Sequence, residues 1–305
     1  MSILFSQFFA KFNKITPLEN NFTEVLKSIA IMPKMLYFYG EMPQNMVVEG
    51  LPKRPKCVAI VGSRHNTRYG EEVAYKMAYE LAKKGVIIIS GLAFGIDSIA
   101  HRATLDAGGK TVAILGTAID RIYPREHLGL AKEIVKKGGV VMSEYEQGLL
   151  TNTKYSFLER NRLIAGLADV IVVVEAAEKS GSLNTAMHAI EQGKELLAVP
   201  GNINNPLSAG CNKLIRQGAN PYTGVEDVLD LIFPQIGQSK KRKRVIFGDN
   251  DEETKVIQLL AEGVRDGEEI IERAKLRAEI FNQTITMLEI KGVVRSLGAN
   301  QWTLK

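Results

Sequence analysis

Runs of consecutive apolar residues, rich in Val and Ile, recur along residues 56–201 and alternate with segments of helical periodicity. A run without polar alternation predicts a strand buried on both faces, as in parallel sheets that are covered by helices. The alternation therefore predicts an α/β fold with a doubly wound parallel sheet. The predicted strands are residues 57–61, 86–90, 111–116, 140–144, 169–175 and 195–199.

The loops after these strands carry most of the candidate functional residues. In a parallel sheet the carboxyl ends of the strands meet at one edge, where ligands bind in doubly wound folds. The sequence therefore predicts one site that is built from several loops rather than from a single motif. The loops concerned are residues 62–64, 91–97, 117–125, 145–162 and 175–182.

Two of these loops have the composition of anion sites. Gly62-Ser63-Arg64 directly follows a strand, so its backbone can approach a phosphate closely and the arginine can contact it with two donors. Ser180-Gly181-Ser182 precedes a predicted helix and offers two hydroxyls, backbone amides and a helix dipole. The alternatives are a tight turn with an exposed arginine and a simple helix cap. The sequence has neither a GxGxxG nor a Walker A pattern.

Residues 157–162 combine a phenylalanine with two arginines, and Lys154 lies three residues before them. An aromatic face beside positive charge is the pair that single-stranded nucleic acid requires. Arg125 ends a neighbouring loop and could extend the basic track. This segment is therefore the main candidate for contact with a nucleic acid, and a core phenylalanine with two surface arginines is its plain alternative.

Several polar residues also have structural interpretations. Arg160 and Arg162 could turn inward to brace the loop, with Asn161 capping the helix that follows. Asp97 stands at the expected start of a helix, where an N-cap role is the favoured one. His101, four residues later, is expected to make a structural hydrogen bond and could reach Asp97 on the same helical face.

Composition limits the other possibilities. The only two cysteines lie far apart, which suits a reducing compartment and predicts a cytoplasmic protein. His65, His127 and His188 are dispersed, so neither a metal nor a cofactor is predicted. The longest apolar run within residues 1–14 has three residues, which is too short for a membrane span or a signal peptide.

The C-terminal region differs from the rest in pattern and charge. Three helical segments are followed by two strands, which is the element order of a winged helix. Residues 249–305 contain 11 acidic and 8 basic residues, a net charge of −3, so an interaction module is favoured over a duplex-DNA reader. The predicted divisions are residues 1–50 as an N-terminal extension, 51–236 as the sheet domain, 237–249 as a basic linker containing Lys240 to Arg244, and 250–305 as the winged helix.

Seven short blocks in the chain have a recognisable order and spacing. They are Val58-Ala59-Ile60-Val61-Gly62-Ser63-Arg64, Ser90-Gly91-Leu92-Ala93-Phe94-Gly95-Ile96-Asp97 with Ala100-His101, Tyr123-Pro124, Ser143-Glu144-Tyr145, Phe157 with Arg160-Asn161-Arg162, Ser180-Gly181-Ser182-Leu183, and Ala198-Val199-Pro200-Gly201. Together they resemble the bacterial DNA-processing protein A (DprA/Smf) family. The resemblance implies an extended Rossmann-like domain that binds single-stranded DNA and forms a homodimer. It also implies protection of incoming DNA and loading of the RecA recombinase in natural transformation, without catalytic turnover.

The resemblance further implies roles for individual residues. At the family's DNA-contact positions stand Arg64, Arg125, Lys154 and Phe157. At its dimer and recombinase surface stand Ile190, Asn212 and Pro221. The full set of predicted DNA-binding residues is Gly62, Ser63, Arg64, Arg125, Lys154, Phe157, Arg160, Asn161, Arg162, Ser180, Gly181 and Ser182. The chain departs from the family at Leu158, where proline is usual, and at Asn220-Pro221, which replaces a basic-aliphatic pair.

The rival interpretation is enzymatic. Phosphoribohydrolases that release a base from a nucleoside monophosphate have related folds and a Pro-Gly-Gly-x-Gly-Thr-x-x-Glu motif, which supplies an anion pocket and a catalytic glutamate. Residues 180–188 lie at the equivalent place, but His188 stands where the glutamate is needed. The general acid/base carboxylate is thus missing, and no enzyme is predicted. A third interpretation keeps the pocket as a sensor of small nucleotides.

Overall fold

The computed structural model describes residues 11–44, 46–48, 51–151, 153–233 and 248–304. The chain divides into two compact units, residues 1–234 and 235–305. The basic run from Lys240 to Arg244 lies outside the described residues. Among the residues described, no helix is both long enough and apolar enough to cross a membrane.

A nine-stranded sheet organises the first unit. Its strands are β1 (Asn13–Ile15), β2 (Leu36–Gly40), β5 (Cys57–Val61), β6 (Ile87–Ser90), β7 (Thr111–Ile114), β8 (Val140–Ser143), β9 (Val170–Val173), β10 (Glu195–Ala198) and β11 (Asn220–Pro221), while β3 (Met46–Val48) and β4 (Leu51–Lys53) form a separate hairpin. The order across the sheet is β1-β2-β8-β7-β6-β5-β9-β10-β11. Strands β5 to β11 run parallel, whereas β2 joins β8, and β1 joins β2, in antiparallel fashion.

Helices cover both faces of this sheet. They are α1 (Arg68–Lys83), α2 (Ile96–Asp106), α3 (Leu128–Lys136), α4 (Thr153–Leu167), α5 (Gly181–Glu191), α6 (Ala209–Arg216) and α7 (Val225–Ile232). In β5, Cys57 and Ala59 face a core shared with α4, α5 and α6, whereas Val58 and Ile60 face a core shared with α1, α2 and α7. This two-sided burial explains why the strands carry no polar alternation.

The predicted doubly wound α/β sheet is confirmed by this topology. Within the predicted N-terminal extension, residues 13–15 and 36–40 supply two strands of the same sheet. The prediction of a loop over residues 145–162 was wrong at its end, because α4 already begins at Thr153. The aromatic and basic residues of 157–162 are therefore positioned by a helix.

The second unit is a winged helix, as predicted. Its elements are α8 (Asp251–Ala261), α9 (Gly267–Ala274), α10 (Ala278–Ile290), β12 (Val294–Gly298) and β13 (Gln301–Leu304). Val256, Ile270 and Phe281 lie in its core. Asn250 caps α8 by accepting a hydrogen bond from the Glu253 amide at 2.8 Å.

Candidate functional site

A cavity of about 500 Å³ opens at the carboxyl ends of the parallel strands. It lies where the strand order reverses, since β6 lies on one side of β5 and β9 on the other. This switch point is the place where doubly wound sheets bind ligands. The cavity is lined by Val61, Gly62, Ser63, Arg64, His65, Ala93, Asp97, Phe157, Leu158, Arg160, Asn161, Ile164, Ala177, Lys179, Ser180, Gly181, Ser182, Thr185 and Leu207.

The loop after β5 is fixed by close packing. A Cβ atom on Gly62 would lie 2.7 Å from Cγ1 of Ile96, so only glycine fits there. The Ser63 hydroxyl accepts a hydrogen bond from the His65 amide at 3.1 Å, and the Ser63 carbonyl accepts one from the Ile96 amide at 3.2 Å. Arg64 is exposed, with its guanidinium 5.6 Å from the centre of the Phe157 ring. The loop thus holds one exposed cation at the cavity.

The N-terminus of α5 forms the opposite wall. Ser180 is its N-cap and accepts a hydrogen bond from the Ser182 amide at 3.3 Å, while the two hydroxyls lie 2.7 Å apart. Capping, the plain alternative, is therefore observed. Because Lys179 and exposed Gly181 also line the cavity, a positive side chain and the positive end of an eleven-residue helix lie at the same wall.

Arg160 turns inward. It is only 4% exposed, and it donates hydrogen bonds to the Gly91 carbonyl at 2.9 Å and to the Ile114 carbonyl. Burial lowers its pKa to about 10, although the nearby Asp97 carboxylate opposes that shift. The guanidinium therefore joins α4 to the ends of β6 and β7, and it lines the cavity from inside the protein.

The next two residues of α4 are also engaged within the protein. The Asn161 amide donates to the Gly181 carbonyl at 3.3 Å and to the Asn184 side chain at 3.1 Å. Asn161 lies in mid-helix, so the prediction that it caps this helix was wrong; it connects α4 to α5 instead. Arg162 forms an ion pair with Glu144 and is not among the residues lining the cavity.

Phe157 is half-buried at the rim. Tyr123 packs on it with ring centres 5.4 Å apart, and the guanidinium of Arg160 lies 5.9 Å from its centre. A Cβ atom on Gly116 would lie 2.3 Å from Cδ1 of Phe157, so glycine is required beneath the ring. Phe157 is thus the centre of an aromatic and cationic cluster that also includes Arg64.

The two remaining basic residues that were predicted to contact DNA are Lys154 and Arg125. Lys154 lies in the first turn of α4, but its side chain lies outside the described residues. Arg125 is exposed at the start of a short 3-10 helix. It does not line the cavity, although its neighbours Tyr123 and Pro124 line an adjoining depression.

Asp97 is not the N-cap that its position suggested. The cap of α2 is Gly95, whose φ of 74° is the left-handed conformation that glycine adopts readily. The buried Asp97 carboxylate instead accepts hydrogen bonds from the Gly91 and Ala93 amides at 3.1 and 3.4 Å. Burial raises its pKa, against the effect of Arg160. The carboxylate therefore holds the turn at Leu92, which has a φ of 59°.

His101 makes a structural hydrogen bond, as predicted, but its partner is Thr111 and not Asp97. Its Nδ1 lies 2.7 Å from the Thr111 hydroxyl, which itself donates to the Ile88 carbonyl at 2.7 Å. Nδ1 is therefore the donor of the pair. Burial, with smaller contributions from His127 and Arg160, lowers the pKa of His101 to about 3, so the ring is neutral near pH 7.

Known proteins with similar sequences and structures show which family the chain belongs to. The family model described as DNA recombination-mediator protein A matches residues 13–233, and the model described as DprA winged helix domain matches residues 240–300. The chain belongs to the DNA recombination-mediator protein A family. The DNA processing protein DprA of Bacillus subtilis is 40% identical over 67% of this chain and 66% of its own length. Protein Smf of Escherichia coli is 45% identical over 57% of this chain, which spans only 46% of that relative.

Solved structures of the DNA recombination-mediator protein A family agree with the fold. DNA processing protein A from Streptococcus pneumoniae superimposes with a TM-score of 0.63 at 36% identity, covering 75% of this chain and 77% of that one. The protein from Helicobacter pylori, whose structure concerns its single-stranded DNA binding mode, has a TM-score of 0.63 at 30% identity, covering 73% of this chain and 96% of that one.

The predicted partner surface of this family member is spread over three elements. Ile190 is exposed on α5 and lines a separate depression of about 330 Å³. The Asn212 side chain is engaged within the protein, because it exchanges hydrogen bonds of 3.2 and 3.0 Å with the Gly201 backbone. Pro221 is exposed on β11. Their role in a dimer or recombinase contact stays a prediction.

Sequence reasoning missed an acidic anchor and two exposed rings. Glu175, at the end of β9, accepts hydrogen bonds from the Thr67 amide at 2.8 Å and the Thr67 hydroxyl at 2.6 Å, and so ties the loop after β5 to β9. An acid that ends a buried apolar run was the available signal. Phe94 and Tyr123 are 44% and 47% exposed beside the cavity, and no local pattern distinguished them from core rings.

Asp97 and His65 are the residues lining the cavity that could act as an acid or a base. Asp97 is the one carboxylate among its lining residues, and it is bonded to two loop amides. His188, at the position of the phosphoribohydrolase glutamate, pairs with Glu191 at 3.1 Å and does not line the cavity. In the part of the chain that the structure describes, no group of three His, Cys, Asp or Glu side chains could hold a metal ion.

Proposed function

We propose that this protein is a cytoplasmic recombination mediator that binds single-stranded DNA through the cavity at the β5/β9 switch point. It protects incoming strands and loads the RecA recombinase onto them during natural transformation, acts as a homodimer and performs no catalytic turnover. The observation that carries the proposal is the joint placement of Arg64, the α5 N-terminus and the Phe157 ring around one cavity.

Each part of the site matches a part of a nucleotide. Arg64 and the Ser180–Ser182 amides are suited to a phosphate, because a guanidinium and a helix N-terminus both favour negative charge. Phe157 offers an aromatic surface for a base, and Lys154, Arg125 and Lys179 add positive charge along the strand. Gly62, Ser63, Asn161 and the buried Arg160 shape the binding surface from below, and Arg162 supports α4 through its ion pair with Glu144. Affinity should therefore depend on salt and little on sequence.

Membership of the family supports single-stranded DNA as the ligand. The Helicobacter pylori relative, described by its single-stranded DNA binding mode, covers most of the first unit. The competing function is release of a base from a nucleoside monophosphate. It is disfavoured because the Asp97 carboxylate is bonded to two loop amides and His188 does not line the cavity. Recombinase loading and dimer formation rest on the family alone, with Ile190, Asn212 and Pro221 as the proposed surface.

A titration of fluorescent oligo-dT against single charge variants tests the proposal. Arg64→Ala should weaken binding about tenfold or more, since hydrogen bonds to charged groups contribute roughly 1.5–3 kcal/mol. Arg68→Ala is the matched control, because the Arg68 side chain is 92% exposed on α1 and pairs with Glu72 on the same helix. Undetectable oligo-dT binding by the wild type at low salt would sink the proposal, and free base released from nucleoside monophosphates would favour the enzyme.

The partner proposals need their own measurements. Addition of the protein should speed RecA-dependent strand exchange on single strands that are already covered by single-strand-binding protein. Ile190→Glu should shift the protein from dimer to monomer in sedimentation velocity, because a charge would be buried in an apolar contact. If the wild type sediments as a monomer at micromolar concentration, the dimer proposal is wrong while the DNA proposal stands.

A further inference from the structure

Two large aromatic side chains lie exposed next to the cavity. Phe94, in the loop after β6, is 44% exposed, and Tyr123, in the loop after β7, is 47% exposed. Each packs against another ring: Phe94 against His127 with ring centres 4.8 Å apart, and Tyr123 against Phe157 with ring centres 5.4 Å apart. Each ring is thus held in place while close to half of its surface remains open to a ligand.

The rings border a small depression of about 40 Å³. It is lined by Arg64, Gly91, Ala93, Phe94, Tyr123, Pro124, Phe157 and Arg160. This volume is far smaller than the 500 Å³ of the neighbouring cavity, so a base would lie across the rings rather than inside the depression. Arg64, Phe157 and Arg160 also line the 500 Å³ cavity, so the two surfaces are continuous.

The charges around the rings favour an anionic ligand. Arg121 and Arg125 flank Tyr123 at two residues on either side, and both are exposed, as is Arg64. Glu126, next to Arg125, and half-buried Asp120, next to Arg121, are the acids adjacent in sequence, so the three exposed arginines still leave an excess of one positive charge. Aromatic faces interleaved with arginines are the arrangement that holds unstacked bases of single strands.

We propose that Phe94 and Tyr123 form a second nucleotide subsite, in which a base stacks on the exposed rings while the neighbouring nucleotide occupies the 500 Å³ cavity. Arg64, common to both surfaces, holds the phosphate between them. The inference rests on the proposed single-stranded DNA binding, and it adds a direction to the strand, from the β5/β9 switch point toward the loops after β6 and β7.

The first test replaces each ring by an aliphatic side chain. Phe94→Leu and Tyr123→Leu keep apolar bulk but remove the stacking face, and each should weaken oligo-dT binding roughly five- to hundredfold. Tyr75→Leu is the matched control, because Tyr75 is 41% exposed on α1, away from both lining sets; its affinity should equal that of the wild type. Thermal midpoints of all variants should match the wild type within a few degrees.

The second test observes stacking directly. The chain has one tryptophan, Trp302, in the winged helix, so Phe94→Trp adds a reporter whose extra emission should be quenched when oligo-dT binds. If the leucine variants bind oligo-dT as the wild type does, or the added tryptophan is not quenched at saturation, the second subsite is wrong although DNA binding stands. If the wild type itself does not bind, the proposed function fails first.

Discussion

The guanidinium groups of Arg160 and Arg64 both lie within 6 Å of the centre of the Phe157 ring. Substitution of Arg160 should nevertheless lower the stability of the fold, whereas substitution of Arg64 should leave stability unchanged. Arg160→Met removes the donors to the Gly91 and Ile114 carbonyls and leaves Asp97 buried without its nearby cation. Each buried carbonyl that loses its donor costs about 1–3 kcal/mol, so the two together cost about 2–6 kcal/mol. Since 1 kcal/mol corresponds to roughly 2–4 °C in a domain of this size, the sheet unit should melt about 4–24 °C lower.

The distribution of chromophores allows the two units to be followed separately. All nine tyrosines lie within residues 37–222, whereas the single tryptophan is Trp302. In urea, the transition seen by tyrosine circular dichroism should move to lower concentration in Arg160→Met, and that seen by Trp302 emission should stay in place. Arg64→Ala is the control, because an exposed substitution changes stability by about 0.5 kcal/mol or less. Equal transitions for the two arginine variants would refute the assignment of Arg160 as an internal brace.

Three further predictions concern packing, salt and pH. Gly116→Ala should displace the Phe157 ring, whose Cδ1 would lie 2.3 Å from the new Cβ, and lower stability by about 1–3 kcal/mol; unchanged unfolding and oligo-dT affinity would contradict this. Oligo-dT affinity should fall linearly with salt on a log–log plot, and Arg64→Ala should reduce the slope by about one; an unchanged slope would remove Arg64 from the phosphate contact. His101, with a pKa of about 3 in the fold against 6.5 in the unfolded chain, takes up a proton only on unfolding between these values. Stability should therefore decline there as the pH falls, by about 1.4 kcal/mol per pH unit, and His101→Leu should flatten that decline in urea titrations from pH 7 to pH 4.

The fold and the edge that carries the site could be predicted from sequence because they depend on patterns that are local. An unbroken apolar run such as residues 170–173 has few other solutions than a strand covered on both faces. Once several such strands are parallel, topology brings the loops at Gly62 and Ser180 to the same edge. Both steps needed no knowledge of side-chain packing.

The first half of α4, before the predicted cap at Asn161, escaped prediction because the buried residues where the helix faces the site are polar. Arg160 and Asn161 are buried through hydrogen bonds to backbone carbonyls and to Asn184, so the usual 3.6-residue apolar period is interrupted where the helix faces the site. The exposure of Phe94 and Tyr123 was hidden for another reason. Whether a ring is core or surface depends on which distant segment packs over it, and the sequence near the ring does not record that.

Both margins of the nine-stranded sheet offer very little free backbone. At one side the antiparallel pair of β2 and β1 covers β8 and ends in a three-residue strand. At the other side β11 has two residues, and its second, Pro221, has no amide hydrogen to donate. Such short, proline-blunted margins resist strand addition by another chain. A contact between two copies of this protein at either of these edges would therefore be made by side chains, and it would not extend the nine-stranded sheet into the continuous ladder from which fibres grow.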